Sequence, residues 1–305
     1  MAELSVCQAT DSKHYLIQDT VHPSWDIEPS DFAVQCDSTS DPSGAIANWL
    51  ANDGNGTSSD VCGTTSVTHD YSGISFTCGT TGSTVVTFTA TDICGNTATR
   101  TATVSIIDAV PPIVQTAARD TIVECDGSGN TAALNDWLSN LAGFEARDVC
   151  GTTTLSHNYT GGGVPNLAAC DSDTSAVLQV IFSAEDACGN ISTSTARFII
   201  IDTSTPTFTV PSDQTVYLDI NCQLDTTTTD IGDVTDENDN CSTGLEATYV
   251  DQLSGLSSCN GTGSFIRIWT LVDDCGNTTI DTQTVTVLDT LVPTFTVPSD
   301  QTVYL

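Results

Sequence analysis

A five-residue signature, D-x-C-G-N, occurs three times in the 305-residue chain: Asp92-Ile93-Cys94-Gly95-Asn96, Asp186-Ala187-Cys188-Gly189-Asn190 and Asp273-Asp274-Cys275-Gly276-Asn277. Each copy follows a strand-like run and precedes another of similar length. Cys-Gly-Asn therefore reads as a hairpin tip, with Gly and Asn supplying the positive φ that tight turns need. The cysteines of successive copies lie 94 and 87 residues apart. A period near that value is too long for a solenoid repeat and matches one small sandwich domain per copy.

The expected fold class is all-β: tandem immunoglobulin-like β-sandwiches, each disulfide-stapled, with a short helix inserted in the first two repeats. Each repeat ends in a strand closing on an aspartate and then a proline: Ile107-Asp108 before Pro111, Ile201-Asp202 before Pro206, and Leu288-Asp289 before Pro293. Ile17-Gln18-Asp19 before Pro23 has the same form, which places Cys7 in the last hairpin of a preceding repeat. The boundaries that follow are 1–20 for the end of that repeat, 21–110 for repeat 1, 111–204 for repeat 2, 205–290 for a variant repeat 3, and 291–305 for the first strand of a fourth. The last assignment rests on identity, because Pro293–Leu305 duplicates Pro206–Leu218 over 13 residues. Such a chain reads as a window on a longer tandem array, or as a polymer subunit that lends terminal strands to its neighbours.

Six basic against 39 acidic residues give a formal charge of −33. A field of that sign repels nucleic acid and anionic membranes and attracts divalent cations. No run is long enough to span a bilayer, so direct membrane insertion is not expected. The expected partners are neighbouring repeats or identical subunits end to end, with an unknown surface protein or glycan as ligand. Thirteen cysteines without a C-x-x-C pair point to a disulfide framework and an oxidising, extracellular setting.

Ala45–Leu50 and Ala132–Leu138 have the apolar spacing of one or two helical turns, with Trp49 and Trp137 as plugs over the sandwich. Repeat 3 lacks both the Trp and the helical pattern. Phe88, Phe182 and Trp269 each stand four residues before a motif aspartate, one buried position per repeat.

Each repeat holds four cysteines: Cys36, Cys62, Cys78 and Cys94; Cys125, Cys150, Cys170 and Cys188; Cys222, Cys241, Cys259 and Cys275. In the sandwich outline the first and third lie toward the far pole, the second and fourth toward the near pole. This predicts first-to-third and second-to-fourth bridges within each repeat, such as Cys36 with Cys78 and Cys62 with Cys94, leaving Cys7 unpaired or bridging between repeats. Each would stabilise by roughly 3 to 4 kcal/mol through chain entropy.

Those pairings bring Asp60 to Asp92, Asp148 to Asp186 and Asp239 to Asp273, at the pole facing the preceding repeat, whose last strand ends in Asp19, Asp108 or Asp202. Three carboxylates at a joint suit a hard cation such as Ca2+ in a structural role. The competing expectation is that these aspartates cap turns through their own backbone. Asp236–Asn240 (DENDN) has the look of a calcium-linker string, but Cys241 and Ala247 stand where a calcium-binding helix–loop–helix requires Gly and Glu. No hydrolase, zinc-protease or phosphate-loop motif is present. His69 and His157 recur at equivalent strand positions, as repeated surface residues would, so the chain is expected not to be an enzyme. Sequons fall at Asn55, Asn158, Asn190, Asn240, Asn260 and Asn277.

The segments Val34–Asp37, Trp49-Leu50, Asp60–Gly63 and Thr91–Asn96, repeated as Val123–Asp126, Trp137-Leu138, Asp148–Gly151 and Glu185–Asn190, resemble the four-cysteine hyalin-type repeats of Bacteroidota surface proteins. Repeat 3 departs from that pattern in its first half. The resemblance implies immunoglobulin-like modules strung in large numbers through giant secreted adhesins and fibres, similar to cargo of the type IX secretion route. The function expected is a structural stalk or fibre, Ca2+-stiffened at its joints. Two alternatives are a filament protomer joined by strand exchange, and a glycan-binding accessory module of a secreted enzyme, which would need an exposed aromatic platform.

Overall fold

The computed structural model describes residues 8–10, 16–37, 40–161, 176–257 and 261–303. The chain packs as two compact units, residues 1–119 with 140–159 and 180–196 in one, and 120–139 with 160–179 and 197–305 in the other. Both are built from antiparallel hairpins in tandem sheets.

In the first unit the long strands Thr81–Asp92 and Thr97–Ile107 form the central hairpin of repeat 1, in register from Gly82↔Ile106 to Thr91↔Thr97. Thr65–His69 lies against one side of it, and Phe32–Gln35 runs parallel along the other, from Phe32↔Val104 to Gln35↔Ile107. Alternation of Thr with Val, Phe and Ala buries Val86, Phe88 and Ala90 on one strand and Ala102 and Val104 on the other. The second layer is a two-stranded sheet, Ser24–Ile27 with Thr57–Ser59, completed by helix α1, Pro42–Ala51. Asp41 caps α1 by accepting the Gly44 N–H, Pro42 opens its first turn, and Ile46 and Trp49 face inward. Trp49 meets the Phe88 ring edge-on at 5.3 Å, and its indole N–H donates to the Ser30 carbonyl at 3.1 Å. The plug role expected of Trp49 is thus observed. In the same unit Thr153–His157 pairs with Phe182–Asp186, and Ile113–Thr116 with Glu145–Arg147.

In the second unit Thr121–Glu124 runs parallel along Phe198–Ile201. Helix α2, Thr131–Ser139, buries Leu134, Trp137 and Leu138, at the i, i+3, i+4 spacing of one helix face. The sheet of repeat 3 repeats the order of repeat 1: Gln214–Tyr217, Thr278–Leu288, Gly263–Val272, Thr248–Gln252. At the place of the earlier helices stands a single turn, α3, Thr228–Ile231, which buries Ile231.

The duplicated segment behaves differently at its two sites. Thr207–Thr209 and Gln214–Tyr217 are strands because Thr235–Asn238 and Val285–Leu288 pair with them. Its identical copy from Pro293 to Val303 forms no strand and exposes Phe295, Val297 and Val303. Intrinsic preference is the same in both, so pairing decides. Among the described residues no helix is long and apolar enough to cross a membrane.

Candidate functional site

The cysteine pairing differs from the sequence expectation. Cys36 bonds Cys150, Cys78 bonds Cys188 and Cys125 bonds Cys241, at Cα separations of 5.9, 5.2 and 6.1 Å. Cys94 and Cys275 are also disulfide-bonded, while Cys62 and Cys222 are free and exposed. Cys7, Cys170 and Cys259 lie outside the described residues. Bridges Cys36–Cys78, Cys62–Cys94, Cys150–Cys188, Cys125–Cys170, Cys222–Cys259 and Cys241–Cys275 are therefore not the ones formed at any described cysteine.

In repeat 1 the first- and third-position cysteines lie at one end of the sheet, but their partners are in the next repeat. Cys36 directly follows the strand paired to Ile107, and Cys78 lies beside the strand start paired to Ile106, so both leave the sheet at the same end. Each then reaches a second- or fourth-position cysteine of the next repeat. Cysteines at one pole can pair within a repeat or across a joint, and a single-repeat outline sees only the first option. A cystine closing a loop of 110 to 116 residues restricts the unfolded chain more than an in-repeat bridge would, worth roughly 5 kcal/mol by chain entropy.

Two glycines allow the close approach these bridges need. A Cβ on Gly79, at φ +57°, would stand 2.3 Å from the Cys150 carbonyl oxygen, and one on Gly127, at φ +70°, 2.3 Å from that of Asn240. Thr80 secures the first contact, donating both its N–H and its hydroxyl to the Cys150 carbonyl at 2.9 and 3.0 Å.

The D-x-C-G-N signature is a turn and a clamp at once. Asp92 Oδ1 accepts the N–H groups of Cys94 and Asn96, its Oδ2 accepts the Asn96 side-chain amide at 2.8 Å, and Gly95 takes φ +90°. Asp186 with Asn190, and Asp273 with Asn277, repeat this to within 0.1 Å. The same asparagine amide also donates backwards to the carbonyl of the aspartate ending the preceding repeat: Asn96 to Asp19, Asn190 to Asp108 and Asn277 to Asp202, at 3.4, 3.3 and 3.2 Å. Read from sequence, these asparagines were turn residues and, at Asn190 and Asn277, sequons. The signal for the clamp was the fixed Asp-to-Asn spacing.

Among the described residues the expected aspartates come together in part, each group joining one of them to the aspartate that ends the preceding repeat. Asp108 lies with Asp148 and with Asp186, Asp202 with Asp239 and with Asp273, and Asp19 with Asp60, each group having ligand atoms within 4.8 Å of one another. Sulfurs of Cys150, Cys188, Cys241 and Cys275 complete four groups, but these are cystine sulfurs, so oxygen is the donor on offer. Among the described residues Asp92 joins no such group, and it is held in its own turn.

The two oxygens of these aspartates have different surroundings. Asp19, Asp60, Asp202 and Asp239 each accept with Oδ1 from an N–H two residues on, in an Asx turn. The Oδ2 of each of the four is buried without a partner. Burial raises the Asp108 and Asp202 carboxyls above the ordinary range; the Val110 and Ser204 N–H groups oppose this, and the neighbouring aspartates add to it. For Asp92 and Asp186 burial acts upward too, but the several hydrogen bonds of the turn together hold their carboxyls low. Orphaned hard oxygens among like charges fit Ca2+.

Sequence reasoning missed Asp31, Asp120 and Asp213. Each accepts, with Oδ1, an N–H of the last strand at Thr103, Arg197 or Thr284, at 2.7 to 2.8 Å, fixing the start of the first strand in its parallel register. It also missed Glu124, whose carboxylate accepts the N–H and hydroxyl groups of both Thr203 and Ser204 in the connector, and which these bonds hold below its ordinary pKa. His69 and His157 lie edge-on to the Phe88 and Phe182 rings at 6.2 and 6.1 Å, as packing residues.

No protein-family model matches the chain, and no curated relative does. Among solved structures it is similar to mouse clustered PcdhgC3 EC1-3, at 14% identity and TM-score 0.27, covering 70% of this chain and 78% of that one. Protocadherin gammaB7 EC3-6 matches at 14% identity and TM-score 0.29, covering 88% and 77%. Drosophila N-cadherin EC1-4 matches at 12% identity and TM-score 0.29, covering 88% and 75%.

Proposed function

We propose that the chain is a structural, non-enzymatic, extracellular segment of tandem repeats, serving as the stalk or fibre of a large adhesin, with Ca2+ stiffening its joints. The observation that supports this reading is the set of cystines running from each repeat into the next. Tension applied along such a chain bypasses the connectors and is carried by covalent bonds between folded sheets. Cystines of this kind persist in oxidising surroundings, which favours the cell exterior.

At the joints, Asp108 with Asp148 and Asp186, and Asp202 with Asp239 and Asp273, would hold the cation, and Asp19 with Asp60 would do so in front of repeat 1. Bound there, Ca2+ supplies the positive charge that the unpartnered oxygens lack. At Asp19, Asp60, Asp202 and Asp239 the turn holds the carboxylate by one oxygen and leaves the other for the ion.

Single-molecule extension tests the mechanical reading. The oxidised chain should lengthen far less on unfolding than the reduced chain, and equal extension in both states would sink it. A thermal melt in calcium and then in chelator tests the cation: Tm should fall in chelator, and an unchanged melt removes Ca2+ while leaving the stalk. The filament reading draws on the unpaired copy of the first strand, Pro293 to Val303, and electron microscopy of native material separates it from a stalk.

A further inference from the structure

At the joint in front of repeat 3, one cystine and one carboxylate pair span the same two pieces of chain. On one side Glu124 pairs with Ile201, the Cys125 N–H donates to the Ile201 carbonyl at 2.8 Å, and the Glu124 carboxylate accepts the Thr203 and Ser204 N–H groups. Cys125 and Asp202 are thereby fixed relative to each other. On the other side Asp239 Oδ1 accepts the N–H groups of Cys241 and Ser242 at 2.7 and 2.8 Å. One turn thus carries both the second cysteine and the second carboxylate.

The Cys125–Cys241 bond ties these halves covalently, and the Asn240 amide donates across to the Cys125 carbonyl at 2.6 Å. The carboxylates meet at the same place: an oxygen of Asp202, an oxygen of Asp239 and the Cys241 sulfur lie within 4.8 Å of one another. Asp202 is only 9% exposed, and its Oδ2 and that of Asp239 are both buried without a hydrogen-bond partner. Two like charges so placed repel, and the cystine holds them together against that repulsion. The joint in front of repeat 2 has the same plan. There the Cys36 N–H donates to the Ile107 carbonyl beside Asp108, and Asp148 accepts the N–H of Cys150, the bridge partner of Cys36.

We propose that the cystine and the cation site of this joint are linked: closing Cys125–Cys241 raises the affinity for Ca2+, and Ca2+ between Asp202 and Asp239 stabilises the closed cystine. The inference rests on the calcium reading above and adds to it control by redox state. With the bond closed, the carboxylates are gathered before the ion arrives. With it open, Asp202 and Asp239 must be drawn together against their repulsion as Ca2+ enters, and a thiol, a soft ligand, offers the ion no compensation. Whatever factor the cystine adds to cation affinity, the cation returns to the cystine. The redox step is exchange with a dithiol. The dithiol gives up two electrons and two protons, the Cys125–Cys241 bond breaks to two thiols, and the dithiol closes to its own disulfide.

The test equilibrates the full chain in mixtures of dithiothreitol and its disulfide, once in Ca2+ and once in chelator, then alkylates free thiols and maps them by mass spectrometry. In Ca2+, half-reduction of Cys125–Cys241 should need about a tenfold higher ratio of dithiol to disulfide, a shift of about 30 mV. Asp202→Asn keeps the oxygen that serves the turn and removes the charge. In that variant the shift should vanish at Cys125–Cys241 and persist at Cys36–Cys150. Conversely, Cys125→Ala with Cys241→Ala should weaken, about tenfold, the Ca2+ binding that Asp202→Asn abolishes. Equal midpoints in Ca2+ and chelator overturn the linkage, as does an equal shift in the parent chain and in Asp202→Asn. Calorimetric titration of the oxidised chain with Ca2+ separates the two failures: binding without a midpoint shift removes the linkage and leaves the calcium reading, whereas no binding removes both.

Discussion

Repeats 1 and 3 carry the same sheet and fill it in opposite ways. In repeat 1 the plug comes from outside the sheet: α1 lowers Trp49 onto Phe88, and the sheet itself supplies small neighbours, Val86 and Ala102. In repeat 3 the helix is one turn long and has no tryptophan, and the sheet grows to meet it. Trp269 stands at the position of Phe88, Arg267 at that of Val86 and Gln283 at that of Ala102, all fully or almost fully buried. Hydrogen bonding shifts in step. The Ser30 carbonyl receives the Trp49 indole N–H, whereas the Ser212 carbonyl receives the Gln283 amide, which also donates to Ile231 and accepts from the Trp269 indole. Arg267 is neutralised by Asp251 at 2.7 Å and stacked on Tyr249 with its guanidinium carbon 3.8 Å from the ring centroid. A helix can thus be traded for side-chain volume rising from the sheet, at the cost of polar atoms that need partners: Gln283 and the Trp269 indole find them, while Arg267 is bonded through Nε and Nη2 and leaves Nη1 buried without one.

The largest effect should come from Trp49→Ala, which empties the plug of repeat 1 and should cost about 4 kcal/mol. Hydrogen exchange should then rise in Thr81–Asp92 and Thr97–Ile107, with Gly263–Val272 unaffected. Arg267→Met should cost about 3 kcal/mol by stranding Asp251, and Arg267→Met with Asp251→Leu should recover most of it, since a buried pair is hard to break singly and easy to replace whole. If the single and double variants melt alike, the ion pair is not what organises repeat 3. Gln283→Ala should cost about 2 kcal/mol, by leaving the Ser212 and Ile231 carbonyls and the Trp269 indole unpaired; the matching Ala102 of repeat 1 has no such debt.

The smallest effect concerns the connector between repeats 2 and 3. The folded Glu124 carboxyl titrates below its ordinary 4.5, so its contribution is present above that value and is lost as pH falls through the lower, folded value. Glu124→Gln should lower Tm slightly at neutral pH and flatten its fall in that acidic window. An unaltered acid limb would show that the connector is held by other bonds.

Much of this was legible in the residues. Three hairpins followed from Cys-Gly-Asn, the central strands from Thr/Val alternation, and the buried aromatics from their shared distance to the motif aspartate. The carboxylate groups followed only in part: Asp60 gathers with Asp19 while Asp92 does not, and the bridge that was to join Asp60 to Asp92 does not form. What sequence hid was everything decided at a joint. Asn96 looks like any turn asparagine until the Asp19 carbonyl stands opposite it, and Gly79 looks dispensable until Cys150 passes 2.3 Å from where a Cβ would be. Arg267 was hidden for a different reason: nothing local marks a charge as buried when its partner, Asp251, lies on the adjacent strand.

The direction of the cystines fixes an order of events in the making of this protein. Cys36 leaves the ribosome 114 residues ahead of Cys150, and Cys78 110 ahead of Cys188, so repeat 1 holds two thiols bare until repeat 2 arrives. Closure travels from the N-terminus, one repeat behind synthesis. During that wait Cys36 and Cys78 share one end of a sheet, and an oxidant arriving early would join them to each other. A chain built this way needs its oxidation delayed until the following repeat has folded.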